Sequence, residues 1–177
     1  MTDSRHRRKT AFLLAASLLW MAFIFAMSAR PADVSSQDSG RVGRLVLMVF
    51  RPGFRDLPAE EQEVLVRRVD GPVRRCAHAA EYAVLGILAG LTIQSASGPR
   101  MKTDDGGVRR SMVFFRRFPL PAAWLAAVIY ACTDELHQAF VPGRSCRAID
   151  LATDAAGAAA GILVLFLISR RKGGAQR

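Results

Sequence analysis

The chain is short of acid. It has 15 Asp and Glu against 25 Lys and Arg, a net charge of +10 over 177 residues. Such an excess raises nucleic acid as a partner, but the companion features are missing. No Lys/Arg stripe follows one face of an amphipathic element, and no zinc-finger or RRM signature occurs, so no nucleic acid is expected as a partner. Three cysteines are too few for the dense framework of a small disulfide-stapled domain. Cys76 and Cys146 could both lie near one surface, and spacing alone leaves open whether they bridge. No internal repeat is visible, which excludes a solenoid. Hydrophobicity is not lacking: 51% of residues are apolar. That excludes a disordered chain, which needs low hydrophobicity with high charge. The apolar residues come in blocks with basic residues between them, the pattern of a polytopic membrane protein.

Four blocks cover about 11–29, 76–94, 120–140 and 149–168, each near the ~20 residues that cross a ~30 Å hydrocarbon core. Together they predict an all-α fold: a single membrane domain over 1–177, built as a four-transmembrane-helix bundle. Between them lie a long external loop (30–75) and a cytoplasmic loop (95–118). Within the long loop, 58–69 reads as a short helix. Pro58 and Glu60, Glu61 and Glu63 suit its start, Arg67 and Arg68 suit its end, and Gly71-Pro72 stops it. The run 45–50 is too short to span and fits a surface-lying segment. Gly98-Pro99 and Asp104-Asp105-Gly106-Gly107 read as turns of a flexible linker.

The basic residues set the direction. Arg5, Arg7, Arg8 and Lys9 precede the first block. Arg100, Lys102, Arg109, Arg110, Arg116 and Arg117 sit between the second and third. Arg170, Arg171, Lys172 and Arg177 follow the fourth. With four crossings these short segments share one side, and the positive-inside rule makes it cytoplasmic, with both termini there. The long loop has nine Arg but also seven acids, and its length weakens its vote. A competing reading makes the first block a cleavable signal peptide, with Arg5 to Lys9 as its n-region. Its apolar stretch is longer than a usual h-region, and Met27-Ser28-Ala29 is an imperfect cleavage site.

Five of the fifteen acids lie in or beside the blocks: Glu81, Asp134, Glu135, Asp150 and Asp154. His78 and His137 join them. A charge at a helix centre costs roughly 2.5–3.5 kcal/mol, so position matters. Alternating crossings put all seven in the same half of the membrane, the outer one by the charge rule. His78, Tyr82, Gly86 and Gly90 recur every four residues. Asp150, Asp154, Gly157 and Gly161 share a face, as do Asp134 and Gln138. Gly86-x-x-x-Gly90 and Gly157-x-x-x-Gly161 allow close helix packing. The polar groups therefore face the bundle interior. Arg144 and Arg147, in the adjacent turn, could neutralise the carboxylates or grip a phosphate. Acid–base pairs that only hold weak helices together are the plainer reading of the same cluster.

These residues resemble the VanZ-like family of bacterial membrane proteins. The carrying segments are Trp20-x4-Phe25-x2-Ser28-x2-Pro31 with Ser35-Ser36, then Val73-Arg74-Arg75-x-Ala77-His78-x2-Glu81-Tyr82-x2-Leu85-Gly86. The most specific is Thr133-Asp134-Glu135-Leu136-His137-Gln138-x-Phe140-Val141-Pro142-Gly143-Arg144, which continues into Asp150-x6-Gly157. Arg75 stands where a Lys is expected, and Asp154 where Asn is usual. The resemblance implies a multi-pass protein of the bacterial cytoplasmic membrane. Its founding member is associated with resistance to the glycopeptide teicoplanin.

Three functions compete. In the first, which the resemblance implies, a non-enzymatic envelope protein binds or shields a lipid-anchored or anionic ligand at the outer leaflet, such as a lipid-linked envelope precursor or a lipoglycopeptide. The ligand-binding candidates are Arg74, Arg75, Tyr82, Gln138, Arg144, Arg147, Asp150 and Asp154. In the second, an intramembrane hydrolase or transferase acts on an isoprenoid or phospholipid through His78, Glu81, Asp134, Glu135 and His137, residues capable of acid–base work. These residues could also bind a divalent metal, but His78-x-x-Glu81 falls short of the His-Glu-x-x-His zinc pattern; no metal ligand or cofactor is assigned, and metal binding stays open. The third, a proton relay, lacks polar residues in the inner half of the blocks, though a homo-oligomer could supply a path. An external reporter fused at Ser111 is expected to be inactive; activity there would reverse the orientation.

Overall fold

The computed structural model describes residues 2–97 and 119–174. Among these, every regular element is helical: α1 (Thr2–Ser28), α2 (Ala32–Phe50), a 3-10 turn (Phe54–Asp56), α3 (Ala59–Ala96), α4 (Pro119–Gln138) and α5 (Ala148–Gly174). Three helices contain segments long and apolar enough to cross a membrane: Ser4–Ser28, Ala59–Ala96 and Ala148–Arg171. Helix α1 is apolar on all sides from Ala11 to Met27, with Phe12, Leu19 and Phe25 all exposed. A helix with that distribution belongs in a lipid or protein interior. It ends at Ser28, just before Arg30, which Pro31 biases away from helical backbone.

The partners along each helix pair give the directions. Thr10 meets Ser95 at 2.8 Å, and Ser17 meets Thr92 at 3.1 Å. Further along, the Trp20 indole donates to the Glu81 carbonyl at 2.9 Å. Thus α1 and α3 are antiparallel. Tyr130 donates to the Met21 carbonyl and Ser28 to Asp134, so α1 and α4 are parallel. Trp124 donates to the Ala155 carbonyl, joining α4 to α5. Successive helices α1, α3, α4 and α5 alternate in direction. The core is small: Ile24, Tyr82, Leu85 and three alanines, with Trp20, Met21 and Tyr130 against them.

Helices α3 and α5 make the most extensive contact. A Cβ placed on Gly86 would lie 2.5 Å from the Ala158 carbonyl oxygen. One on Gly157 or Gly161 would run into the Ala79 or Ala83 carbonyl. Backbone meets backbone here, as small residues permit. Gly90 instead faces the Leu165 side chain.

The segment 30–75 corrects the sequence reading. Its residues read as a loop with one short helix, yet it is almost wholly helical. The apolar run 45–50 is the end of α2, an amphipathic helix whose polar first half has no long apolar run to mark it. Gly71-Pro72 does not stop the next helix: α3 runs through Pro72 for 38 residues. An interior proline costs a hydrogen bond and about 3 kcal/mol. Tertiary anchors on both sides of it favour continuity. Asp70 accepts from Ser39, and Arg74 donates to Ser36 at 2.8 Å and to Asp70 at 2.7 Å. Arg44 reaches Gln62 and Glu63, so α2 and the first half of α3 form an antiparallel hairpin. Two ends shift as well. The basic residues 5–9 and 170–172 belong to α1 and α5 rather than to tails. The linker turns between 98 and 107 lie outside the described residues. Cys76, Cys132 and Cys146 are free and exposed, so Cys76 and Cys146 do not pair.

Gly161→Ala is expected to lower stability by about 1–3 kcal/mol, because a methyl there meets backbone that no rotamer can move. Gly71→Ala has only the Arg75 guanidinium near it, at 4.0 Å, and should be neutral or better. Thermal unfolding of the two variants in detergent compares them. Equal melting would show that the α3–α5 approach is not as tight as described.

Candidate functional site

The polar residues meet where α1 and α4 end, α5 begins and α3 passes through. The ends of α1 and α4, the start of α5 and the middle of α3 supply the side chains.

Arg144 ties this end together. Its Nη1 donates to Gln138 Oε1 at 2.9 Å, its Nε to the Arg30 carbonyl at 2.9 Å, and its Nη2 to the Met27 carbonyl at 3.4 Å. The two carbonyls lie at and just beyond the α1 C-terminus, where helical partners run out and a cation is favoured. Gln138 Nε2 in turn donates to Asp134 Oδ2 at 3.1 Å, and Ser28 Oγ to the same oxygen at 2.7 Å. The sequence holds this turn in place. Gly143 has a φ of 74°, in the left-handed region that glycine tolerates. The neighbouring Pro142 carbonyl accepts from the Ala32 N–H at 3.2 Å, fixing the turn to the start of α2. Burial, and then the Arg74 charge, pull the Arg144 guanidinium below its ordinary value, against Asp134, Glu135 and Glu81. A guanidinium nevertheless stays protonated in proteins.

Arginine does not neutralise these acids by direct pairing, as the sequence allowed. Glu135 Oε2 is held by the Arg147 backbone N–H at 3.0 Å. His78 Nδ1 stands 3.8 Å from Asp154 Oδ1, an ion-pair approach too long for a hydrogen bond. Asp154 is fully buried, and neither carboxylate oxygen has a hydrogen-bond partner. Glu81 Oε2, Asp134 Oδ1, the Tyr82 hydroxyl and His137 Nε2 are also buried and unpartnered. Buried polar atoms are ordinarily satisfied, and here the exceptions gather at one end of the helices.

A cavity of about 310 Å³ opens among them. Arg74, Arg75, Arg144 and Arg147 line it, with His78, Glu135, Gln138, Asp150 and Asp154. Arg75 and Arg147 make no ion pair or side-chain hydrogen bond, whereas Arg74 is held by Asp70. A second cavity, of about 610 Å³, lies between the end of α1, α2 and α3. It shares Arg74, His78 and Arg144 with the first and adds Glu81 and a valine-rich wall.

The remaining candidates fall elsewhere. Tyr82 is fully buried in the core, 6.2 Å from the Tyr130 ring, and lines neither cavity. Asp134 lines neither cavity and accepts from Ser28 and Gln138. His137 packs on Phe25 at 4.4 Å. Gly86, Gly90, Gly157 and Gly161 serve the helix contacts already described. Among the described residues, no three of His, Cys, Asp and Glu are grouped to hold a metal ion. Ser28 and Asp70 were missed as site residues. The Asp70–Arg74 spacing of four could have exposed one of them, had the helix not been ended at Gly71.

A family model described as VanZ/LLP1 matches residues 13–169. No curated protein and no solved structure matches the chain.

Arg144→Lys replaces a three-armed fork by a point charge. It is expected to cost about 1.5–3 kcal/mol, the range for hydrogen bonds to charged groups. Chemical unfolding in detergent would read this, and an unchanged midpoint would remove Arg144 as the tie between α1 and α4.

Proposed function

The chain belongs to the VanZ/LLP1 family, and from that membership and the cavity we propose that it binds or shields a lipid-anchored, anionic ligand at the outer leaflet of a bacterial cytoplasmic membrane. In this reading α1, the second half of α3, α4 and α5 all cross the membrane, both termini are cytoplasmic, and the cavity opens outward. One observation carries it: Arg75 and Arg147 line a cavity without carboxylate partners. An unpaired guanidinium offers a planar fork suited to phosphate or carboxylate. Arg144 is fixed by carbonyls rather than neutralised by an acid, which leaves its charge available to the cavity. A role in tolerance of teicoplanin-type glycopeptides follows from the family's founding member.

A second reading has one observation in its favour. His78 approaches the buried Asp154 and borders both cavities. An imidazole near a buried carboxylate and beside arginines suits acid–base work on a lipid phosphate. Turnover of such a lipid by purified protein, lost in His78→Asn, would favour an intramembrane hydrolase or transferase over binding alone.

The binding reading is tested in a susceptible bacterium expressing wild type or an Arg75→Ala, Arg147→Ala double variant. Glycopeptides with and without a lipid tail are compared. Wild type is expected to raise tolerance of the tailed compounds, and the double variant to lose that effect at near-normal membrane levels. Loss of the variant from the membrane would make the arginines structural and end the functional reading.

A further inference from the structure

The unpaired charges in the 310 Å³ cavity are of both signs. Arg75 and Arg147 are joined there by Asp150, whose carboxylate makes no ion pair or side-chain hydrogen bond. Opposite charges lining one cavity would ordinarily neutralise one another. Here Arg75 sits on α3, Arg147 in the turn before α5, and Asp150 in the first turn of α5, and no two of them come within ion-pair distance. An anion alone would satisfy the arginines and be repelled by Asp150. A ligand that brings an anion and hydrogen-bond donors together would satisfy all three. The volume agrees. At ~30 Å³ per water, the cavity has space for about ten waters, more than a bare phosphate needs.

The neighbouring 610 Å³ groove has a different character. Val42 and Val46 of α2 face Val69 and Val73 of α3 across it, with Met27 at the end of α1. It meets the polar cavity along Arg74, His78 and Arg144, which border both. A polar chamber and an apolar trough bordered by the same three side chains match an amphiphile rather than a soluble anion, because apolar surface gains from removal from water only on the trough side.

Building on the binding reading above, we propose that the ligand is a lipid phosphate whose head also carries hydroxyl groups. Its phosphate lies on Arg75 and Arg147, its hydroxyls donate to Asp150, and a hydrocarbon chain lies in the groove walled by α2. Helix α2 is then part of the binding site and not merely a connection outside the membrane.

The test uses the full-length protein purified in detergent and probes of matched chains: dioleoyl phosphatidylglycerol, dioleoyl phosphatidic acid and dioleoyl phosphatidylcholine. Glycerol phosphate serves as the soluble head. Native mass spectrometry or lipid-displacement fluorescence reads affinity. Phosphatidylglycerol is expected to bind about tenfold tighter than phosphatidic acid, the equivalent of ~1.4 kcal/mol. Phosphatidylcholine, whose head has no hydroxyl, and glycerol phosphate, which has no chain, should both be weaker still. Asp150→Ala, which removes the acceptor, should abolish the preference for phosphatidylglycerol over phosphatidic acid. Val42→Trp, at an exposed position that tolerates bulk, should weaken the lipids about tenfold and leave glycerol phosphate unchanged. A preference that survives Asp150→Ala, or lipid binding untouched by Val42→Trp, overturns the inference while the anion site stands. Unchanged binding of every phosphate probe to the Arg75→Ala, Arg147→Ala variant overturns the anion site itself.

Discussion

The rest of the molecule depends on a contact with no side chain on one side of it. Gly86, Gly157 and Gly161 let the backbones of α3 and α5 touch. That approach sets the register between the two helices, and with it the level at which His78 meets Asp154. A larger residue at these positions would push α5 away from α3. Helix contacts in lipid gain little from the hydrophobic effect and depend on close fit. The sparse alanine-rich core fits that constraint, since large apolar side chains are mostly exposed on the outer faces.

Arg144 makes a different kind of contact at the open end. It does not pair with an acid but caps the C-terminal end of α1 through backbone carbonyls and holds Gln138 by its amide oxygen. Gln138 then orients Asp134, which also accepts from Ser28. One guanidinium so relates three segments: the exit of α1, the last turn of α4 and the turn that leads to α5. Because backbone carbonyls and an amide hold it, the carboxylates of Glu81, Asp150 and Asp154 keep their capacity for other partners.

Much of this was legible in the residues. Apolar blocks between basic segments located α1, α4, α5 and the second half of α3. Helical spacing put the glycines and polar residues on common faces, and the structure brings His78, Glu135, Gln138, Asp150 and Asp154 to one cavity. What stayed hidden has physical reasons. Helix α2 is amphipathic, but its polar first half leaves only 45–50 as an apolar run, too short to be taken for a spanning block. Pro72 is a strong local stop signal, and only distant partners such as Ser36 and Ser39 override it. The partners of Arg144 are backbone atoms, which residue types do not reveal. Tyr82 shared the ridge of His78, but lies one turn deeper and joins the core.

The length of α3 has a mechanical consequence. At ~1.5 Å per residue its 38 residues make a rod of about 57 Å, nearly twice a ~30 Å hydrocarbon core. The same rod carries the α2 hairpin on one half and His78 and Glu81 on the other. It is therefore a lever with its weakest bearing at Pro72, next to the Asp70–Arg74 anchor. The hairpin and the cavity wall are thus carried on one continuous helix, with no loop between them.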